Sequence, residues 1–445
     1  MKKAVFALIV LSLFALGTPP VFGQEPATQS SPFPHQEYRL RNGLRVLLAE
    51  DHRLPLVTVA VAYGAGTLRE KPGQEGLAYL LENLMFQGSE NVAPLQHVGF
   101  VQKVGGELNA TTAHDKALFY ETLPSNQLAL ALWLESDRMK TLAITPAAIE
   151  RTRSELIESH RGRLASDPFF ASFAEFDQLL FPDEIYGRPL IGTGLDMVKL
   201  TEADIAAFHR AYYVPNNAVL AIVGSIDAVR TRELVARYFD SVSPGTDAPI
   251  PARPNLARQS DVVVRTHETA AEGAGFHMGF RFYPIQPGEI YPLRILQYLL
   301  AEGETSRLRS RLLKKDMTAR YLGVSVDVRL SVAALKLFCL NTNEVMVERA
   351  QKAILSEIDK LRTNTVSLDE INRAKRRFKA DYLEKLSTNL GKALFLVDAA
   401  IAGDGLGDPG AELDRYLGVG PLSVQSFVSK YFIPQNRVVL ELRRR

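Results

Sequence analysis

The sequence predicts an α+β protein made of two homologous halves, each a largely antiparallel sheet covered by helices. Three observations carry this expectation. First, similar segments recur at a single offset of 219 residues. Phe208–Asn217 and Phe427–Asn436 share Phe, Tyr, Pro and Asn in register. Without a gap, the same offset carries Val57, Val59, Val61 and Tyr63 onto Phe276, Met278, Phe280 and Phe282. It also carries Leu77, Leu80 and Leu81 onto Leu296, Leu299 and Leu300, and Leu118-Phe119 onto Leu337-Phe338. Second, strand patterns come early and late in the first copy, with helical patterns between them. Third, Pro244, Pro249, Pro251 and Pro254 lie among Ser, Gly, Thr and Ala near the middle of the chain, the composition of a semi-rigid linker. The expected layout is an N-terminal signal over 1–23, a first domain over 35–240, a linker over 241–257 and a homologous second domain over 258–445.

The elements follow in order. Lys2-Lys3 precede an apolar run from Ala4 to Leu16, and Val21-Phe22-Gly23 offers small residues for cleavage, which together read as a secretory signal peptide. The run is shorter than the ~20 residues a membrane-spanning helix requires. The expectation is therefore an exported protein, periplasmic or secreted, with no membrane span after cleavage near Gly23. Asn42-Gly43 between Tyr38–Arg41 and Leu44–Leu48 predicts a hairpin, and Val57–Tyr63 an alternating strand. Leu77, Leu80, Leu81, Leu84 and Met85 fall on one helical stripe. Leu118–Leu123 predicts a strand and Gln127–Met139 a helix. Thr145-Pro146 supplies an N-cap and first turn for a helix reaching about Arg163. Ala218–Val223 closes the copy as an apolar strand.

Composition narrows the function classes. The 445 residues are 46% hydrophobic and 23% charged, with a formal net charge of +2, which excludes a disordered chain and provides no field for a nucleic acid backbone or an anionic membrane. The single cysteine, Cys339, excludes an intrachain disulfide and a cysteine-rich metal site. The eight histidines never recur at i+3 or i+4. No local spacing among them marks a metal site.

The helix at Leu77–Phe86 has a second face, where Tyr79, Glu82, Asn83 and Phe86 sit at i, i+3, i+4 and i+7. Two imidazoles four residues apart hold one zinc ion from a single turn, and a carboxylate just before the second acts as general base on metal-bound water. Here the two ligand positions hold Tyr79 and Asn83. The segment Gly76-Leu-Ala-Tyr-Leu-Leu-Glu-Asn-Leu-Met-Phe-Gln-Gly-Ser89 resembles the signature of the pitrilysin, insulinase and mitochondrial-processing-peptidase family, whose helix carries His-x-x-Glu-His. Gly105-Gly106-Glu-Leu-Asn109-Ala-Thr111, Tyr186-Gly-Arg-Pro-Leu-Ile-Gly192, Tyr212-Tyr-Val-Pro-Asn-Asn217 and Ser306-Arg-Leu308 extend the resemblance in the family's order, from about His35 to the C-terminus. It implies a clamshell of two homologous halves, with zinc in the first half of active members.

The resemblance retains the base position, Glu82, and replaces both zinc histidines. A phenol stays protonated and a neutral amide oxygen is a poor zinc ligand. The third ligand position, a glutamate in the family, falls on Ser159, with Glu158 and Glu155 as alternatives. In the second half, the family's Arg and Tyr, seven residues apart, grip the substrate carbonyl; the gapless positions here are Leu313 and Arg320, which breaks the pair, and Lys314 and Tyr321 keep the spacing one residue along. Lys is only a partial substitute, lacking the planar fork. Strand edges near Asn109 and Ala110 are expected to receive extended peptide by β-augmentation. The leading expectation is the non-catalytic subunit of a heterodimeric zinc peptidase, with no cofactor in this chain and the zinc in a sister chain, since the family's chamber uses four such domains and this chain provides two. The alternatives are a peptide-binding or scaffold homodimer without a protease partner, and an active zinc metalloendopeptidase with unusual ligands.

Overall fold

The computed structural model describes residues 33–444, apart from 184, 193, 250–255, 257, 258, 272 and 404–407. The export signal expected over 1–23 and the linker stretch 250–255 lie outside the described residues. The first half runs β1 (Gln36–Arg39), β2 (Arg45–Glu50), β3 (Leu56–Tyr63), α1 (Leu77–Leu84), α2 (Gln96–Lys103), β4 (Glu107–Thr112) and β5 (Ala117–Pro124). It continues through α3 (Leu128–Thr141), α4 (Pro146–Ser166), α5 (Phe170–Leu180), α6 (Gly194–Lys199), α7 (Glu202–Tyr212), β6 (Ala218–Gly224) and α8 (Ala228–Phe239). The second half runs β7 (Val263–Thr269), β8 (Ala274–Phe282), α9 (Ile290–Ala301) and α10 (Arg307–Arg309), which continues as a π-helical turn over Ser310–Lys315. Then follow β9 (Tyr321–Arg329), β10 (Val332–Asn341), α11 (Glu344–Thr363), α12 (Leu368–Lys385), α13 (Asn389–Ala402), α14 (Pro409–Leu417), α15 (Pro421–Tyr431) and β11 (Arg437–Arg444).

The expected hairpin, strands and helices form, with Thr145 accepting from the Ala148 amide at the head of α4. The repeat is legible in the elements: an offset of 219 carries α7 onto α15 and places α5 at the start of α13. The sheets are ordered β1-β2-β6-β3-β5-β4 and β7-β11-β8-β10-β9. Both are mixed, because β6 returns parallel to β2, and β11 parallel to β7, while the other pairs are antiparallel. A last strand arriving from a helix enters the middle of its sheet, so β6 is buried on both faces and reads as an unbroken apolar run.

Each sheet is covered twice. Val57, Val59, Val61 and Tyr63 of β3 pack with Leu77, Leu80, Leu81 and Leu84 of α1. On the other face, Ala60, Ala62, Ala221 and Val223 receive Ala393, Leu396 and Val397 of α13, a helix of the second half. The exchange is reciprocal. Phe176 and Leu180 of α5, from the first half, pack with Phe181 on Ala334, Val438 and Leu440 of the second sheet. Gly279 in β8 is what admits them: a Cβ there lies 2.8 Å from Phe176 and Leu180. Each sheet is therefore completed by the other half's helix. Ion pairs follow the same seams. Lys392 of α13 reaches Asp51, which Arg53 also grips at 2.6 Å, and the buried Arg329 of β9 bonds Asp177 of α5 at 2.9 Å. No helix among the described residues is long and apolar enough to cross a membrane.

Candidate active site on helix α1 and the β4 edge

Helix α1 starts at Gly76, whose φ of 85° puts it in the left-handed region and whose absent Cβ leaves room for the Ile191 carbonyl. The buried Glu70 carboxyl accepts from the amides of Ala78 (2.9 Å) and Gly76 (3.3 Å), capping the helix. Burial raises that carboxyl to about 8, and these backbone bonds and Arg188 act against the rise.

The polar face of α1 looks toward β4. Glu82 is 9% exposed, and its Oε2 accepts from the Thr112 hydroxyl at 2.5 Å, with a further bond from the Thr112 amide. Burial pushes its carboxyl above the ordinary range and the Thr112 bonds pull it back. Tyr79 is half-buried, and its phenol is raised by burial and then by the neighbouring Glu82 charge. Asn83 donates its amide to the Tyr79 carbonyl at 2.8 Å, folding back onto its own helix. The three form a protonated phenol, a carboxyl tied to the next strand, and an amide whose nitrogen donates to the backbone.

The third expected position lies on α4. Ser159, Glu158 and Glu155 are all exposed there, and Glu158 is 3.9 Å from Arg161. The α4 charge that reaches Tyr79 belongs to Arg163, one turn beyond these positions. Asn109 and Ala110 lie mid-strand in β4, at the unpaired edge of the first sheet. Ala110 packs on the core, while Asn109 is exposed and its Oδ1 accepts from the Ala110 amide at 2.9 Å. The Asn109 side chain thus occupies one group of the edge. Lys314, at the end of the π-helical turn, pairs with Glu304 at 2.7 Å where both are more than half exposed. Tyr321 opens β9, the edge of the second sheet, and borders a cavity of about 280 Å³ with Phe173, His277 and Phe338.

A family model described as insulinase (peptidase family M16) matches residues 45–188, and one described as the peptidase M16 inactive domain matches residues 199–378. The chain belongs to the peptidase M16 (insulinase) family. It is homologous to zinc proteases: "Zinc protease PqqE" of Helicobacter pylori is 26% identical over 375 residues, 83% of this chain and 84% of that protein. The crystal structure of a protease from Helicobacter pylori matches with a TM-score of 0.85 at 23% identity, over 92% of this chain and 100% of that one. The periplasmic protease PqqL from Escherichia coli matches with a TM-score of 0.76 at 15% identity, over 92% of this chain and 47% of that one. The M16 chain thus spans about half of PqqL.

In the M16 chain the segment Tyr186–Gly192 has a visible task. Arg188 donates to the Glu70 carbonyl at 2.8 Å, and Gly192 sits where a Cβ lies 2.9 Å from the Glu75 carbonyl. The segment clamps the loop that enters α1. Sequence reasoning missed two features. Thr112, thirty residues from Glu82, is its partner only through the fold. Behind α1, His97, Glu121 and Glu135 form a buried group with ligand-type atoms within 4.8 Å of one another. One signal for it was readable: Glu121 occupies the buried face of an otherwise apolar alternating strand beside Phe119 and Leu123.

Proposed function

We propose that this M16 chain is an exported, non-catalytic subunit whose zinc-bearing sister of the same family carries out peptide hydrolysis. The observation that carries the reading is the donor set on α1. Zinc is held by deprotonated thiolate, imidazole or carboxylate ligands, and this face offers instead a phenol that burial makes still harder to ionise and a neutral amide oxygen. The residues do not fit zinc, and no catalytic step is derived through it. Glu82 is engaged by Thr112, so its retention has a structural explanation that needs no metal.

The share of PqqL that this chain covers, 47%, supports a second chain completing the chamber. In the assembly, the β4 edge presents Asn109 and Ala110 to extended peptide, and Lys314 with Tyr321 faces the sister's substrate. The periplasmic description of PqqL supports the exported reading. A test combines metal analysis with sizing: the purified chain is expected to carry no stoichiometric zinc, to cleave no peptide alone, and to elute as a complex with an M16 chain bearing an intact His-x-x-Glu-His. Stoichiometric zinc with cleavage lost in Glu82→Gln returns the chain to the active peptidases. A homodimer that binds peptide and ignores every such sister points to the scaffold reading.

A further inference from the structure

The buried group behind α1 has an unbalanced charge. His97 of α2, Glu121 of β5 and Glu135 of α3 are 4%, 1% and 1% exposed. Arg138, one turn from Glu135, donates through Nε at 3.0 Å and through Nη2 to the two Glu135 oxygens, and its guanidinium lies 4.5 Å over the Phe119 ring. That pair accounts for one carboxylate. Glu121 has no cation of its own. Its Oε2 lies 3.2 Å from Nε2 of His97, and its Oε1 has no hydrogen-bond partner among the described residues. The other groups that face the pair are few. From α3 there are Arg138 and Glu135; from β3 the fully buried Tyr63 phenol lies near Glu135 and Arg138; from the turn after α1 the Phe86 ring lies 5.8 Å from His97. An ionised Glu121 would set a second negative charge against a single guanidinium in a buried site, which a folded protein avoids by keeping a proton or taking a cation.

We propose that Glu121 and His97 hold one proton between them, as a carboxylic acid bonded to a neutral imidazole, and that this proton latches α2 and α3 onto β5. Through the pairing of Glu121 with Leu108, the latch supports the β4 edge beside Asn109. The ligand chemistry of the three side chains also suits a divalent cation, but Arg138 already sits on both oxygens of Glu135 and provides the positive charge there. A proton completes neutrality; a divalent ion overshoots it. Burial acts in the same direction, raising the Glu121 carboxyl to about 8 and lowering His97 to about 3. Because the folded value of Glu121 lies above its ordinary 4.5, its stabilisation is complete below that value and is lost as pH rises toward about 8.

The test is thermal unfolding of the full chain between about pH 5 and pH 9, for the wild type and for Glu121→Gln, whose amide keeps the size of the side chain and a donor toward His97. The variant is expected to gain Tm relative to the wild type steadily up to about pH 8 and then to run parallel to it. Amide exchange in α2 and β4, corrected for its intrinsic pH dependence, is expected to accelerate over that range in the wild type only. Independently of how the variant folds, the carboxyl ¹³C shift of wild-type Glu121 at neutral pH is expected at the protonated position. An ionised shift, a Tm difference that does not change with pH, or a copurifying divalent metal whose chelation lowers the wild-type Tm would each overturn the proposal.

Discussion

Glu82 shows what the fold does with the side chain at the family's base position. In the family's motif its position is that of a general base; here its carboxyl is turned onto the Thr112 hydroxyl and amide, tying α1 to the edge strand β4. Replacing it with alanine leaves the Thr112 donors with nothing to bond in a site that is largely closed to water. A loss of about 1–3 kcal/mol is expected for Glu82→Ala, read from urea unfolding, together with faster amide exchange along β4. Unchanged stability would mean that the carboxyl is not holding the strand. The position of Glu82 on the helix face was legible in the spacing of Tyr79, Glu82 and Asn83. Its partner was not, because hydrogen bonds between residues thirty apart leave no periodic trace. On α4, Ser159, at the family's third ligand position, is exposed, and Arg163, one turn further on, is the residue whose charge reaches Tyr79.

Helices α5 and α13 are the elements that join the halves. The 219-residue offset makes them equivalents, and each lies across the sheet of the half it does not belong to. Their amphipathic patterns require burial but do not name the surface that provides it. Phe176, 1% exposed, stacks on His277 at 5.0 Å between ring centroids, and Leu396 is equally buried against the first sheet. Phe176→Ala is expected to cost ~3–5 kcal/mol and Leu396→Ala ~2–5 kcal/mol by denaturant unfolding. Since each helix is built into the other half's core, either substitution is expected to lower one common transition. Two separated transitions would show the halves to be independent. The β4 edge is a different kind of element. Its place at the end of the sheet leaves backbone groups free, and Asn109 covers one of them with its own side chain. An incoming peptide strand must displace that amide, a modest safeguard against unintended pairing.

For the whole molecule, the cross-half ion pairs set how the two domains answer to acid. Asp51 is 8% exposed, and its carboxyl is held well below the ordinary carboxylate range, first by Arg53 and then by Lys392 of α13. A depressed folded value stabilises above the ordinary pKa, and that stabilisation is lost as pH falls through the acid range. Lys392→Met removes the cation from the other half. It is expected to cost ~3 kcal/mol, the lower end for a broken buried pair because Arg53 still grips Asp51, and to make acid unfolding less steep when followed by circular dichroism. An unaltered acid profile would assign the tie to Arg53 alone. The lone Cys339 contributes packing only; burial raises its thiol to about 12.

By itself the sequence determined the duplicated α+β architecture, the caps and strands of the first half, and the face of α1 on which Tyr79, Glu82 and Asn83 lie. Periodicity, turn chemistry and a gapless repeat are local or translational signals, and they survive in one dimension. Only the tertiary structure decided that each sheet is covered by the other half's helix, that Glu82 is bonded to Thr112, and that His97, Glu121 and Glu135 meet in one buried site. Those facts depend on contacts between residues far apart in the chain, where geometry and desolvation, not spacing, decide which groups must be paired.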